Sequence, residues 1–299
     1  MLLEMFETLI TVEQARRGLG LADWRFVDCR FDLRDVDAGR AAYERGHIPG
    51  AVYAHLDDDL SGQVVTGETG RHPLPDDTAM ASLVQRLGVD AHTQVVVYDD
   101  LGGRIAARLW WMLRYAGLEK VAVLDGGWPA WAAGTRERER TVRSVAPSHY
   151  APSFRRRQVV STAMVEAWVR EGGAPTLLDA RAAARYRGEV EPLDPIAGHI
   201  PGALSSPCAN SLDEEGMFRA RPILREAFLS AMSEEGPGRG ASVAYCGSGV
   251  TACHLILAMT HAGLAPPRLY PGSWSAWCGD ATRPISTGPT AGNETSRTT

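Results

Sequence analysis

The chain is written twice, and that limits its fold more than any other feature. Gly46-His47-Ile48-Pro49-Gly50-Ala51 recurs as Gly198-His199-Ile200-Pro201-Gly202-Ala203. Phe26-Val27-Asp28-Cys29-Arg30 recurs as Leu177-Leu178-Asp179-Ala180-Arg181. Val95-Val96-Val97-Tyr98-Asp99 returns as Ser242-Val243-Ala244-Tyr245-Cys246, and Gly127-Trp128 with Trp131 returns as Ser273-Trp274 with Trp277. The four matches keep their order, and their separation changes only slowly along the chain. This is the mark of two tandem copies of one domain rather than of a short-period solenoid. A length of 299 residues allows two domains, each with its own core.

Each copy follows one plan. A short apolar strand ends in Asp-x-Arg, and a polar helix leads to the His-Ile-Pro-Gly-Ala segment, where Pro and Gly force an extended turn. An amphipathic helix comes next (Met80 to Leu87 in the first copy), then the strand carrying Asp99 or Cys246. A long helix, Ile105 to Ala116 or Thr251 to Ala262, leads to a last strand, Val121 to Leu124 or Arg268 to Tyr270. Strands alternating with helices predict an α/β fold, each copy a parallel sheet with helices on both faces. The expected boundaries are a first domain at 8–146, a Pro- and Arg-rich linker at 147–158, a second domain at 159–286 and a disordered Gly/Ser/Thr-rich tail at 287–299.

A net charge of −5 gives no electrostatic case for nucleic acid or an anionic membrane as partner. The local basic runs, Arg136 to Arg143 and Arg155 to Arg157, read as solvated linker. The five cysteines stand singly, with no Cys-x-x-Cys pair to suggest zinc and no dense framework to suggest secretion. The first residues, Met1-Leu2-Leu3-Glu4-Met5-Phe6-Glu7, carry acids where a signal peptide carries bases, and no apolar stretch approaches a membrane span. The expectation is a reduced, cytoplasmic protein with no metal and no cofactor.

The chemistry concentrates at Ala244-Tyr245-Cys246-Gly247-Ser248-Gly249-Val250-Thr251-Ala252. A buried strand ends at Tyr245, and a helix begins near Thr251. A thiol between them lies where unpaired backbone N–H groups and the positive end of a helix dipole converge, a setting that favours the nucleophilic thiolate. The glycines let the backbone curl around sulfur as a nest of amides. A small buried hydrophobe closing a strand is the plainer use of cysteine, but that use needs neither flanking glycines nor a helix start. Active sites of parallel sheets lie beyond the C-terminal strand ends, where Cys246 falls. The first copy has Asp99 at this position, so only the second copy holds a nucleophile. A cleft between the copies is the expected place for a substrate.

The two-fold pattern, the Asp-x-Arg strands, both Gly-His-Ile-Pro-Gly-Ala segments, the paired Trp motifs and the Cys-Gly-Ser-Gly-Val-Thr-Ala loop resemble the two-domain rhodanese family of sulfurtransferases. The resemblance covers about residues 10 to 285. The loop is similar to the 3-mercaptopyruvate type, whereas thiosulfate enzymes of the family carry a loop of the form Cys-Arg-x-Gly. Positions 247 to 252 carry no cation to hold a compact dianion. Their amides and hydroxyls suit the oxygen of a departing 2-oxo product.

The resemblance implies a sulfur transfer in two steps. Cys246 attacks the donor sulfur and becomes a persulfide, and the outer sulfur passes to cyanide or to a thiol such as thioredoxin or a low-molecular-weight thiol. Gly247, Gly249, Val250 and Thr251 would line the substrate. Ser248 matches a proton-relaying serine, with a helix-capping hydroxyl as the alternative. His72, in Gly70-Arg71-His72-Pro73-Leu74-Pro75, matches the interdomain histidine that partners it. Asp57, within Asp57-Asp58-Asp59, falls near the acid that orients this histidine, with a solvated acidic turn as the alternative. Arg185 matches the arginine that binds the donor carboxylate, and Arg187 competes for that role. Histidines 47 and 199 repeat in both copies and read as structural, as do Asp28 and Asp179, expected to anchor Arg30 and Arg181 or to cap local backbone.

One departure stands out. The 3-mercaptopyruvate type carries a second arginine after a Glu-Pro pair, but Glu191-Pro192 is followed here by Leu193-Asp194-Pro195. Arg187 or a first-domain cation such as Arg104 would have to substitute, or the donor is thiosulfate. Two more distant functions are open: a non-enzymatic persulfide carrier, and a Cys-x5-Arg phosphatase, which Ala252 at the arginine position argues against.

Overall fold

The computed structural model describes residues 5–135, 137–172, 175–233 and 241–289. Residues 290–299 of the expected tail, Arg136 at the head of one basic run and the first four residues lie outside the described residues. The chain divides into two compact units. The first contains β1 (Leu9–Ile10), β2 (Trp24–Asp28), β3 (Val52–Tyr53), β4 (Gln94–Tyr98) and β5 (Val121–Leu124), all parallel, in the order β1-β5-β4-β2-β3. The second contains β6 (Thr176–Asp179), β7 (Ala203–Ser205), β8 (Ser242–Tyr245) and β9 (Arg268–Leu269), parallel in the order β7-β6-β8-β9. Both sheets are flanked by helices, so the α/β reading holds. Where the first sheet adds β1 beside β5, the second has Val159 parallel to Leu269, with the Val160 N–H donating to the Leu269 carbonyl at 2.8 Å.

The local sequence explains these elements. The central strand β4 is buried at every residue and reads Gln-Val-Val-Val-Tyr, as a strand covered on both faces requires. The helix Asp77–Arg86 starts where the Asp76 carboxylate accepts the Ala79 N–H at 2.8 Å. The helices Ala106–Tyr115 and Val250–His261 are apolar nearly all round and largely buried, so each is a core element. They occupy almost the spans expected for them.

The repeated motifs meet in one knot, built the same way in each unit. Asp28 and Arg30 form a fully buried pair, with Nη2 donating to Oδ2 at 2.6 Å, and the same nitrogen donates to the Gly46 carbonyl at 2.7 Å. The Arg30 guanidinium lies 4.6 Å from the Trp128 ring. Asp179 and Arg181 repeat this at 2.6 Å, with Nη2 on the Gly198 carbonyl and the guanidinium 4.5 Å from Trp274. The Asp28 and Asp179 side chains also accept the Arg30 and Arg181 backbone N–H groups, so each does both structural jobs expected of it. His47 stacks on Tyr43 at 4.0 Å and its Nδ1 is 2.7 Å from the Tyr43 carbonyl. His199 does the same with Tyr186, at 3.7 and 2.8 Å. Both histidines are parts of the fold.

Segment membership departs from the simple two-halves division. Val64–Pro73 groups with the second unit and Leu212–Phe218 with the first. Close backbone approach explains the former: a Cβ on Gly70 would lie 2.4 Å from the Gly272 carbonyl oxygen. The Arg71 N–H also donates to Ser275 Oγ at 3.1 Å.

At the end of β4 the Asp99 carboxylate is fully buried and accepts four backbone N–H groups, those of Leu101, Gly103, Ile105 and Ala106, at 2.7–2.8 Å. It closes the helix start by giving these N–H groups an internal acceptor. Asp99→Ala should therefore cost at least about 3 kcal/mol in urea unfolding, because buried donors lose their acceptor. Asp99→Asn, which keeps one acceptor oxygen, should cost less than Asp99→Ala.

Candidate active site

Cys246 directly follows β8 and is buried. Its Sγ accepts the Gly249 N–H at 3.1 Å, and its own N–H donates to Ser273 Oγ at 3.1 Å. The Trp274 N–H donates to the Cys246 carbonyl and the Ser275 N–H to the Gly247 carbonyl, each at 2.9 Å. The loop is thus pinned from below by the helix Ser273–Trp277. Gly249 stands at φ +82°, and a Cβ there would lie 2.8 Å from the Pro271 carbonyl oxygen. Only glycine makes this turn into the helix beginning at Val250. Val250 and Thr251 form its first turn.

Ser273 is the one non-glycine residue at positive φ among the described residues, at +55°. The first unit has Gly127 there, at φ +54°. A serine in this region is strained, and strain of this kind collects at functional sites. Here the hydroxyl it brings accepts the Cys246 N–H and donates to the Tyr270 carbonyl at 2.9 Å. Nothing in the sequence except the Gly127–Ser273 difference between the copies pointed to it.

Ser248 and His72 meet. Ser248 Oγ lies 2.7 Å from His72 Nδ1, and both residues are buried. The histidine arrives on Val64–Pro73, packed as part of the second unit. Asp57 is exposed and belongs to the first unit. Its neighbours serve local needs: Asp59 accepts the His55 N–H at 2.7 Å, and Asp58 lies 3.6 Å from Arg40.

The cations sort themselves. Arg185, on the short helix Ala183–Tyr186, grips Glu191 through Nε at 3.1 Å and Nη2 at 2.6 Å, and Nη2 also reaches Asp194 at 3.2 Å. Glu191 in turn takes Arg181 at 3.3 Å and the N–H groups of Leu193 and Asp194. Arg187 turns elsewhere, to Glu189 at 2.6 Å on the surface. Arg104 lies in the first unit, after β4. Arg71, which sequence reasoning passed over in favour of its neighbour His72, pairs with Asp194. Burial and the nearby Arg185 hold its guanidinium below the ordinary arginine range, while Cys246 and Glu191 pull the other way. The site therefore brings together a buried thiol that accepts a backbone N–H, a hydroxyl–imidazole pair and guanidinium groups, residue types that covalent transfer from a small anion would use.

The rhodanese-like domain model matches residues 11–134 and 161–280. The chain belongs to the rhodanese family, in its two-domain form, and is an enzyme of the sulfurtransferase class. It is 43% identical over 281 residues to a Pseudomonas aeruginosa protein named "Probable 3-mercaptopyruvate sulfurtransferase", covering 94% of this chain and 98% of that one. It is 40% identical to a Mycobacterium tuberculosis protein named "Putative thiosulfate sulfurtransferase SseB", covering 88% and 90%. Among solved structures, 3-mercaptopyruvate sulfurtransferase from Leishmania major matches with a TM-score of 0.79 at 30% identity, covering 93% of this chain and 76% of that one. SseA from Escherichia coli, a 3-mercaptopyruvate sulfurtransferase, matches with a TM-score of 0.76 at 31% identity, covering 90% and 99%. Among the described residues no helix is long and apolar enough to cross a membrane.

Gly249→Ala should lower sulfur-transfer turnover by more than about tenfold, because relief of the Pro271 clash moves the loop that aims the thiol. The strain should also lower stability by about 1–3 kcal/mol, read from a thermal melt alongside the turnover assay.

Proposed function

We propose that the chain moves a sulfane sulfur from 3-mercaptopyruvate to a thiol or cyanide acceptor through a persulfide on Cys246. The observation that carries this reading is the Cys246–Gly249 loop: sulfur receives a backbone N–H at 3.1 Å, and two residues on, Ser248 is joined to His72 at 2.7 Å. The names of the Pseudomonas, Leishmania and Escherichia relatives support the donor.

In the first step the Cys246 thiolate attacks the donor sulfur. An S–S bond forms, the S–C3 bond breaks, and its electron pair leaves on carbon as the enolate of pyruvate. The proton of the donor thiol ends on C3, giving pyruvate and a Cys246 persulfide anion. Ser248 and His72 are suited to carry that proton, since hydroxyl and imidazole already share a hydrogen bond. Arg185 holds the donor carboxylate, for which a planar guanidinium fits. Backbone N–H groups of the Gly247–Thr251 turn stabilise charge on sulfur and on the departing oxygen. Asp57 is assigned to His72 on the resemblance alone. In the second step an acceptor thiolate or cyanide attacks the outer sulfur, and the Cys246 thiolate leaves. A reducing compartment such as the cytoplasm suits a chain whose five cysteines are all unbridged.

Thiosulfate is the second donor to weigh, because the Mycobacterium relative is named for it and because Arg71 brings to Gly247 a cation that the loop itself lacks. The deciding measurement is kcat/KM for the two donors with cyanide as acceptor. A preference for 3-mercaptopyruvate of at least about tenfold is expected, and a thiosulfate preference would overturn the donor assignment. Cys246→Ser should abolish turnover with either donor. Treatment of the native enzyme with 3-mercaptopyruvate, without acceptor, should add one sulfur to the peptide containing Cys246 and none to the other cysteine peptides.

A further inference from the structure

We infer that Ser273 is a positioning residue for the nucleophile, its hydroxyl standing in for one rung of the sheet and turning Cys246 out of the ladder; the inference rests on the reading of Cys246 as the persulfide-forming thiol. Strands β8 and β9 run parallel with Ala244 beside Leu269, which sets Tyr245 beside Tyr270. In a parallel ladder a residue donates its N–H to the neighbouring strand, and its C=O accepts the N–H two residues further along that strand. The Tyr270 N–H makes the first of these bonds, to the Ala244 carbonyl at 3.0 Å. The second would join the Cys246 N–H to the Tyr270 carbonyl. The Ser273 hydroxyl stands between them instead, accepting the Cys246 N–H at 3.1 Å and donating to the Tyr270 carbonyl at 2.9 Å. The rung survives, lengthened by one hydroxyl. The strand ends are thereby held apart at the residue that must leave the sheet.

At this position the side chain, not the backbone, accounts for the residue. Ser273 is fully buried and stands at φ +55°, a conformation that suits glycine. Its counterpart Gly127 adopts φ +54° without that strain. A helix start alone therefore asks for glycine, and the serine keeps a strain that the fold does not need. The first unit also has no room for a side chain here, since a Cβ on Gly127 would lie 2.2 Å from the Asp99 carbonyl oxygen. The unit that holds an acid has the unstrained glycine, and the unit that holds the thiol has the strained serine.

The Trp274 N–H takes the Cys246 carbonyl at 2.9 Å. Consecutive residues thus grip both the N–H and the C=O of Cys246, which fixes the direction of its Cα–Cβ bond. Attack on a donor sulfur needs Sγ aligned with the bond that breaks, with the reacting atoms about 3–3.5 Å apart. A hydroxyl that sets the Cβ direction acts on the rate of attack and leaves donor affinity to other groups.

The test compares Ser273→Gly with Ser273→Ala, using whichever of 3-mercaptopyruvate and thiosulfate the native enzyme consumes faster. Glycine removes the hydroxyl and the strain, whereas alanine removes the hydroxyl and keeps the strain. Ser273→Gly should therefore melt at a higher temperature than Ser273→Ala. Both should nonetheless form the Cys246 persulfide about tenfold to a hundredfold more slowly in a single turnover at saturating donor, read by mass spectrometry of the Cys246 peptide. KM should stay within about threefold of the native value. A native rate in Ser273→Gly, a loss confined to Ser273→Ala, or a loss carried by KM would overturn the inference. Cys246→Ser separates it from the reading beneath it. Transfer retained in Cys246→Ser defeats the persulfide reading and the inference with it, whereas transfer lost there but native in Ser273→Gly defeats the inference alone.

Discussion

A strand that stops where a helix starts leaves a cluster of backbone N–H groups with no carbonyl to receive them. Both halves of this chain build that socket at the end of a central strand, and each fills it with a different side chain. In the first, Asp99 reaches in with a full carboxylate and takes four N–H groups. The socket is satisfied. In the second, a cysteine stands at the mouth, and its sulfur takes the Gly249 N–H. Sulfur is a larger and softer acceptor than a carboxylate oxygen. The same backbone device holds an acid in one half and a thiol in the other.

The socket works only if the loop around it stays in place, and the buried Asp-x-Arg knot holds the surroundings in register. In each unit one arginine joins the end of a strand, the carbonyl before the His-Ile-Pro-Gly-Ala segment and the face of a tryptophan. That tryptophan's own N–H holds the carbonyl of Asp99 or Cys246, at 2.7 and 2.9 Å. A buried ion pair is not by itself strong evidence of stabilisation. Its use here is positional, since it ties three sequence-distant segments to the residue that fills the socket.

Much of this could be read from the residues because it is local or repeated. Apolar runs such as Val95-Val96-Val97 mark central strands, and the duplication separates fold features such as His47 and His199 from Cys246, whose place in the first copy is taken by Asp99. The rest depended on tertiary proximity. Arg185 was the residue matched on paper, and Arg187 competed with it. Two residues along a helix turn a side chain by about 200°, so only one of them could face Glu191, and no periodic pattern in a four-residue helix says which. Ser273 was hidden because a strained φ leaves no mark in composition. Arg71 was hidden because its partner Asp194 lies 123 residues away.

That last pair shows how the surroundings of Cys246 draw on segments far apart in sequence. After Glu191-Pro192 the chain reads Leu193-Asp194-Pro195, and the Asp194 carboxylate pairs with both Arg71 and Arg185. A carboxylate between two guanidinium groups offsets their repulsion. The Arg71 main chain is anchored through Ser275 to the helix beneath Cys246, and the next residue, His72, meets Ser248. A displacement of Val64–Pro73 would therefore disturb both contacts together. The uncharged Gly247-Ser248-Gly249 turn is accordingly an incomplete guide to the charge around Cys246, since guanidinium groups reach Gly247 from outside the loop.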